Sequence, residues 1–303
     1  MSIKLPYLAK FGYEALEKVP NGDGSYGSVY KGKLINGTQY VAIKRIHKKV
    51  LNNRFKERFQ KEASLLYNTH NQYIVKYIDY FDEKDEFFIL TEYIEGYSLQ
   101  TFISQNKLMN DLGTLLKIFL QVLKGILYLH RKKILHLDIK PSNIMLDKNN
   151  DVRIVDLGIS KTITEVRNKI IGTVKYMSPE QATGQQLSYA SDIYSIGVTM
   201  IASLLGESPY QNINDNNVVI NFIKDIDLIH LNNIKDYMIF QSSKFKRDWS
   251  IVPEKYLGYI LKRATTKQIA NNTTPANKKY LERYSSCEEM YNDLLQLKKA
   301  YYG

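Results

Sequence analysis

The chain has 303 residues, 44% hydrophobic and 24% charged, the make-up of an ordinary soluble globular protein with room for one large domain or two lobes. Its single cysteine, Cys287, excludes an internal disulfide framework and suits a reducing, cytoplasmic setting. The formal charge of +11 is spread from Lys4 to Lys299 without a block of like charges; this is the pattern of a solvated surface, and a nucleic-acid partner is not expected.

Met1 to Tyr13 lacks a basic stretch followed by an apolar core, so no signal peptide is expected. Val29–Leu34 and Gln39–Lys44 read as strands around Asn36-Gly37, a hairpin turn pair. A helix follows over roughly 50–68. In it Phe55, Phe59, Glu62 and Leu66 recur at steps of four, three and four and share one face, while Lys56, Glu57, Arg58 and Lys61 turn away. Glu62 therefore belongs to the side that faces inward. Phe87–Tyr93 reads as a further apolar strand after the charged turn Asp82-Glu83-Lys84-Asp85.

From about residue 99 the pattern is helical. Asp111–Lys132 is a long helix and Asp192–Leu205 an apolar one, whose run from Ile193 to Leu205 is too short to span a bilayer. Pro253–Thr265 is amphipathic with proline at its start, and Ser285-x-x-Glu288 reads as a capping box opening a last helix to about Tyr301. Residues 206–252 and 266–282 read as irregular and Asn-rich. A small β-rich lobe, a connection near 92–98 and a larger helical lobe are expected, with no membrane span.

Three motifs carry chemistry. In Gly22-x-Gly24-x-x-Gly27-x-Val29 the missing side chains let backbone N–H groups approach phosphate oxygens. A dinucleotide-binding turn has the same glycine spacing but needs a helix after the third glycine, where a strand is expected here. An ordinary glycine-rich turn is the plainer reading. Lys44 ends the strand Val41-Ala42-Ile43-Lys44; turned inward it needs a counter-charge, which Glu62 and a phosphate would supply, and turned outward it needs none. His136-Leu-Asp-Ile-Lys-Pro-Ser-Asn143, followed by Asp156-Leu157-Gly158, gathers a base, a cation and oxygen ligands for a hard metal ion, as phosphoryl transfer requires.

In this order the motifs resemble those of the eukaryotic-type (Hanks-type) serine/threonine protein kinases, over about residues 13–300. Ser178-Pro179-Glu180 resembles the end of an activation segment, with Arg283 as the late partner of Glu180. The stretch from Gly172 to Gly184 is similar to bacterial members in particular. The resemblance implies an α+β, two-lobed fold: an antiparallel β-rich N-lobe with one helix (about 13–91), a hinge (92–98) and a mainly helical C-lobe (99–300). It implies an enzyme using ATP and Mg²⁺, or Mn²⁺ in its place, to phosphorylate Ser or Thr of protein substrates, itself included.

By the same resemblance Asp138 orients the acceptor hydroxyl and takes its proton, and Lys140 neutralises the moving γ-phosphoryl. Lys44 holds the α- and β-phosphates and is fixed by Glu62, while Asn143 and Asp156 carry the metal. Gly22, Gly24, Ser25 and Gly27 cover the phosphates. Val29, Ala42 and Met145 sandwich adenine, Thr91 stands behind it, and the Glu92 carbonyl and Ile94 amide bond its edge. Lys140 two residues after Asp138, with Thr173 in the segment, fits a Ser/Thr acceptor. A pseudokinase scaffold and a kinase of a non-protein acceptor are the alternatives.

Three departures stand out. Leu137 replaces the family's usual arginine, which pairs with a phosphate on the activation segment, so strict dependence on phosphorylation there, for instance at Thr162 or Thr164, is not expected. Leu157 replaces the usual phenylalanine and keeps an apolar side chain. Pro20-Asn21 adds residues before the glycine loop.

Overall fold

Alternation along the strands builds the smaller of two units. In the computed structural model, which describes residues 5–24, 27–47, 53–83, 86–105, 111–157, 160–162, 172–225, 253–267 and 282–302, this unit comprises Met1–Gly96 with Val155–Gly158. Five antiparallel strands, β1 (Tyr13–Gly24), β2 (Gly27–Leu34), β3 (Tyr40–His47), β4 (Tyr77–Asp82) and β5 (Glu86–Glu92), lie in the order β1-β2-β3-β5-β4.

In β3, Val41 and Ile43 are buried while Ala42 and Lys44 are half-buried, so the two faces differ. One face carries Tyr30, Val41, Ile43, Phe88 and Leu90, packed with Leu8 from the short helix α1 (Pro6–Lys10) and with Leu5 just before it. The other carries Val29, opposite Lys44, and Lys31, opposite Ala42; these in turn stand opposite Ile89 and Thr91 of β5. Directly opposed residues of an antiparallel pair share a face. The hairpin at Asn36-Gly37 forms as read, with Asn36 in the left-handed region at φ 64° and the Gly37 amide donating to the Leu34 carbonyl.

Helix α2 (Asn53–Tyr67) buries Phe59, Glu62, Ala63 and Leu66 and exposes Glu57. Phe55, Lys56 and Arg58 lie outside the residues whose side chains are described.

Tyr97–Ile154 and Ile159–Gly303 form the larger unit. Its core is α4 (Leu112–Arg131), which follows the short β6 (Gly96–Ser98) and α3 (Leu99–Ser104). By length and composition α4 alone among the described helices is apolar enough to cross a membrane, but most of it is buried inside the fold, as a core helix is. Asp111 caps its start by accepting from the Thr114 amide. After α4 come the strand pairs β7 (Ile134–Leu135) with β10 (Lys161–Thr162) and β8 (Ile144–Asp147) with β9 (Val152–Ile154). Helices α5 (Pro179–Thr183), α6 (Tyr189–Leu205), α7 (Asn216–Asp225), α8 (Pro253–Thr265) and α9 (Cys287–Tyr302) complete the unit. Here α9 packs on α4, and α8 on α6.

Every residue of α6 from Ala190 to Leu204 is buried. Hydroxyls at every fourth residue make that tolerable for a helix with no wet face: Ser195 donates to the Ser191 and Tyr176 carbonyls, Thr199 to the Ile139 carbonyl and Ser203 to the Thr199 carbonyl.

Three boundaries differ from the sequence reading. The apolar helix starts at Tyr189, not Asp192; one turn earlier than expected, the Ser188 amide donates to the Ser191 hydroxyl. The last helix is capped by Ser286, whose hydroxyl accepts from the Glu289 amide, one residue beyond the expected pair. The stretch expected to be irregular contains α7, in which Val219 and Ile223 pack with Met177, Ala182 and Tyr210. Residues 226–252 lie outside the described part of the chain.

Candidate active site

In the smaller unit β1 ends at Gly24 and β2 begins at Gly27, antiparallel to it, so a strand and not a helix follows the third glycine, which disposes of the dinucleotide rival. Lys18 pairs with Tyr30 and Asp23 with Ser28, so residues 19–22 bulge opposite Val29. Pro20 has no N–H to give the ladder, which is why the added residues loop out here. Side chains have no room at two of the glycines. A Cβ on Gly22 would come within 2.8 Å of the Val19 carbonyl oxygen, and one on Gly27 within 2.0 Å of the Arg45 carbonyl oxygen. Gly24 ends β1, and Ser25 lies outside the described residues.

Lys44 turns inward and is paired. Its Nζ donates to Glu62 Oε1 at 2.7 Å and to Asp156 Oδ1 at 3.0 Å, and lies 5.8 Å from the Phe59 ring centroid. Burial favours the neutral amine, but the Asp156 and Glu62 carboxylates overcome it and hold Lys44 well above the usual lysine range. Asp156 adopts φ 64°, and Leu157 beside it is buried. Val29, Ala42 and Thr91 lie half-buried on the Lys44 face of the sheet. Glu92 is tied to Lys76 twice: its amide donates to the Lys76 carbonyl and its Oε1 accepts from the Lys76 amide, each at 2.9 Å. Ile94 is half-buried.

A second constellation forms within the larger unit. Asp138 Oδ2 is ion-paired with Lys140 Nζ at 2.9 Å and accepts from Asn143 Nδ2 at 3.1 Å. Asp138 Oδ1 accepts from the Thr173 amide at 2.9 Å and from the Thr173 hydroxyl at 2.7 Å, and that hydroxyl accepts from Lys140 Nζ at 2.7 Å. Asn143 Nδ2 also donates to the Asp138 carbonyl, which leaves its Oδ1 as the oxygen for other work. Met145 lies half-buried on β8.

Asp192, fully buried at the start of α6, anchors this loop. Its carboxylate accepts from the His136 and Leu137 amides at 2.9 and 2.8 Å and bonds His130 Nε2 at 2.8 Å. Burial alone would raise its pKa; the His130 bond leads the contacts that hold it below the usual carboxylate range. Leu137 has φ 67° and packs with Leu135 and Leu187, while Gln181 Nε2 donates to its carbonyl. The Arg283 guanidinium, 1% exposed, bonds Glu180 Oε1 at 2.7 Å and the Ala190 and Thr266 carbonyls.

A family model described as "Protein kinase domain" matches residues 13–297. The chain belongs to the protein kinase family. Among its relatives, this kinase chain is 36% identical to the MAP kinase kinase MKK1/SSP32 of Saccharomyces cerevisiae over 62% of its own length and 38% of the relative's. It is 35% identical to the serine/threonine-protein kinase PrkC of Bacillus subtilis over 62% and 30%. To a probable serine/threonine-protein kinase of Dictyostelium discoideum it is 29% identical over 80% and 49%. The chain thus spans less than half the length of these relatives.

The kinase residues read from the sequence gather in two groups: Lys44, Glu62 and Asp156 in one unit, and Asp138, Lys140 and Asn143 in the other. Three contacts escaped that reading. The bonds of Thr173 to both Asp138 and Lys140, the anchoring of the loop by Asp192 and the tie between Glu92 and Lys76 all join residues far apart in sequence. Only Asp192, an acidic residue beside an apolar run, carried a signal: a buried carboxylate needs donors.

Proposed function

We propose that the chain transfers the γ-phosphoryl group of ATP to serine or threonine hydroxyls of protein substrates, itself included, with Mg²⁺, or Mn²⁺ in its place. The observation that carries the reading is the bonding of Asp138 to Lys140, Asn143 and Thr173. The acceptor hydroxyl attacks the γ-phosphorus, the bond to the β–γ bridging oxygen breaks, and ADP leaves with that oxygen's charge. Asp138 orients the hydroxyl and takes its proton. Asp138 Oδ1 accepts two hydrogen bonds from Thr173, and Oδ2 accepts one from Asn143 and is ion-paired with Lys140, so a group around it has to yield to the acceptor hydroxyl. Lys140 suits this role: moving its ammonium from Oδ2 to the phosphoryl oxygens frees a lone pair as negative charge builds where the ammonium goes.

Lys44 is kept cationic and aimed by Glu62 and Asp156, which suits it to the α- and β-phosphates. Gly22, Gly24, Ser25 and Gly27 cover the phosphates with main chain, Val29, Ala42 and Met145 hold the adenine, and Thr91, Glu92 and Ile94 set its edge. Asn143 and Asp156 offer hard oxygens, a donor set that fits Mg²⁺; the Asp156 side chain is 43% exposed and Asn143 has spent its amide hydrogens elsewhere. When bound, the metal draws negative charge off the phosphate oxygens.

Serine and threonine as acceptors are supported by the placing of Lys140 two residues after Asp138 and by Thr173, which resemble the serine/threonine kinase pattern. A reducing, cytoplasmic setting belongs to this reading and is supported by the free, buried thiol of Cys287. Incubation with γ-labelled ATP, Mg²⁺ and a generic protein substrate tests it. Label on phosphoserine or phosphothreonine is expected; nucleotide binding without transfer would mark a scaffold, and label on a small molecule or lipid would shift the acceptor class.

A further inference from the structure

Lys31 on β2, Tyr40 at the start of β3 and Tyr93 just past β5 hold none of the roles above, yet they meet. The Lys31 ammonium lies 4.2 Å from the centroid of the Tyr40 ring and 4.9 Å from that of Tyr93, and the two rings stand edge to face at 6.3 Å. Strand register explains the meeting. Lys31 stands opposite Ala42 and two residues along from Val29; Tyr40 is two residues before Ala42, and Tyr93 two after Thr91. At a period of two, all of these lie on the Lys44 face of the sheet. The Lys31 side chain is 22% exposed, so its charge is partly withdrawn from water and the two ring faces attract it more strongly than at an open surface.

Tyr93 stands between Glu92 and Ile94, whose main chain is assigned to the adenine edge. On its other flank Glu92 is already held by Lys76.

We propose that Lys31 is a positioning residue that ties the strand carrying Val29 to segment 92–94 through the Tyr40 and Tyr93 rings, and so sets the slot for the purine base. The inference rests on the nucleotide site proposed above and assigns Lys31 to the base, not to the phosphates. Losing the cation removes the contact that ties both rings to β2, and the roof and edge of the slot are then no longer held at one spacing.

The test compares the unaltered protein with Lys31→Met, Lys31→Arg, Tyr93→Leu and the double variant Lys31→Met/Tyr93→Leu. Affinities for ATP and for inorganic tripolyphosphate, a phosphate chain without a base, are measured with KM for ATP and kcat. Lys31→Met is expected to raise the ATP Kd and KM about fivefold at unchanged kcat, the scale of such contacts. Lys31→Arg should restore both constants, tripolyphosphate affinity should hold throughout, and the double variant should be no worse than the poorer single one. ATP affinity unaltered by Lys31→Met, or tripolyphosphate affinity falling in step with it, would overturn the positioning role. An unaltered protein that binds no ATP would overturn the nucleotide reading itself.

Discussion

Thr173 is bonded to Asp138 twice, through its amide at 2.9 Å and its hydroxyl at 2.7 Å, and the same hydroxyl accepts from Lys140. One short polar side chain thus fixes both the base and the cation of the proposed transfer. Hydrogen bonds to charged groups contribute about 1.5–3 kcal/mol. Thr173→Ala is expected to lower kcat roughly tenfold to a hundredfold on that scale, with KM for ATP unchanged and Thr173→Ser recovering most of the loss. Steady-state kinetics on a peptide substrate decide it; equal kcat for the alanine variant would remove Thr173 from the mechanism.

Asp138→Asn keeps the shape and removes the proton acceptor. Transfer should fall by about 10²–10⁴-fold, while ATP binding followed by calorimetry stays close to that of the unaltered protein. Full turnover in this variant would show that another group takes the proton.

Asp156→Asn should weaken ATP binding in Mg²⁺ while leaving binding in excess chelator nearly as it was, because the carboxylate acts through the metal. Titrations with and without Mg²⁺ separate the two conditions. An equal loss in both would place the defect in the Lys44 contact instead.

Asp192 makes stability depend on acid. Its folded pKa lies below the ordinary value, so its contribution is present above the unfolded value and is lost as pH falls through the folded one. Asp192→Asn should therefore lower the unfolding free energy by a constant amount above about pH 5, with the gap to the unaltered protein closing in stronger acid. Denaturant melts across pH check this; a gap that widened in acid would contradict it.

Leu137 packs with Leu135 and Leu187, where an apolar side chain offers nothing to a phosphate. Thr162→Ala/Thr164→Ala should accordingly retain activity to within about threefold, a loss of under 1 kcal/mol in the transition state. A folded, inactive double variant would show that phosphorylation is required after all. The Thr162 side chain and Thr164 lie outside the described residues.

Much of the site was legible because its residues come in short, ordered runs whose period places them. Lys44 follows Val41 and Ile43 by alternation and must lie on the other face, and Glu62 falls on the inward face of α2. The cap of the last helix was read one residue early. Ser286, not Ser285, accepts from the first turn, through the Glu289 amide, while Ser285 donates to the Glu289 carboxylate, in a helix that buries Cys287, Met290, Leu294 and Leu297. Helix α7 was missed because Asn216, Asn217, Val218 and Val219 are indifferent helix formers; its stability comes from burying Val219 and Ile223, partners that lie elsewhere in the chain.

By itself the sequence pointed to the kinase family through the order of its motifs, and through that resemblance to two kinds of lobe and to the residue types proposed to handle phosphate and proton. Tertiary structure decided which of those charges meet. Lys44 and Asp156 are 112 residues apart, and Asp138 and Thr173 are 35 apart. Hydrogen bonds act over about 3 Å, and only packing of the strands and helices brings such distant residues within that reach.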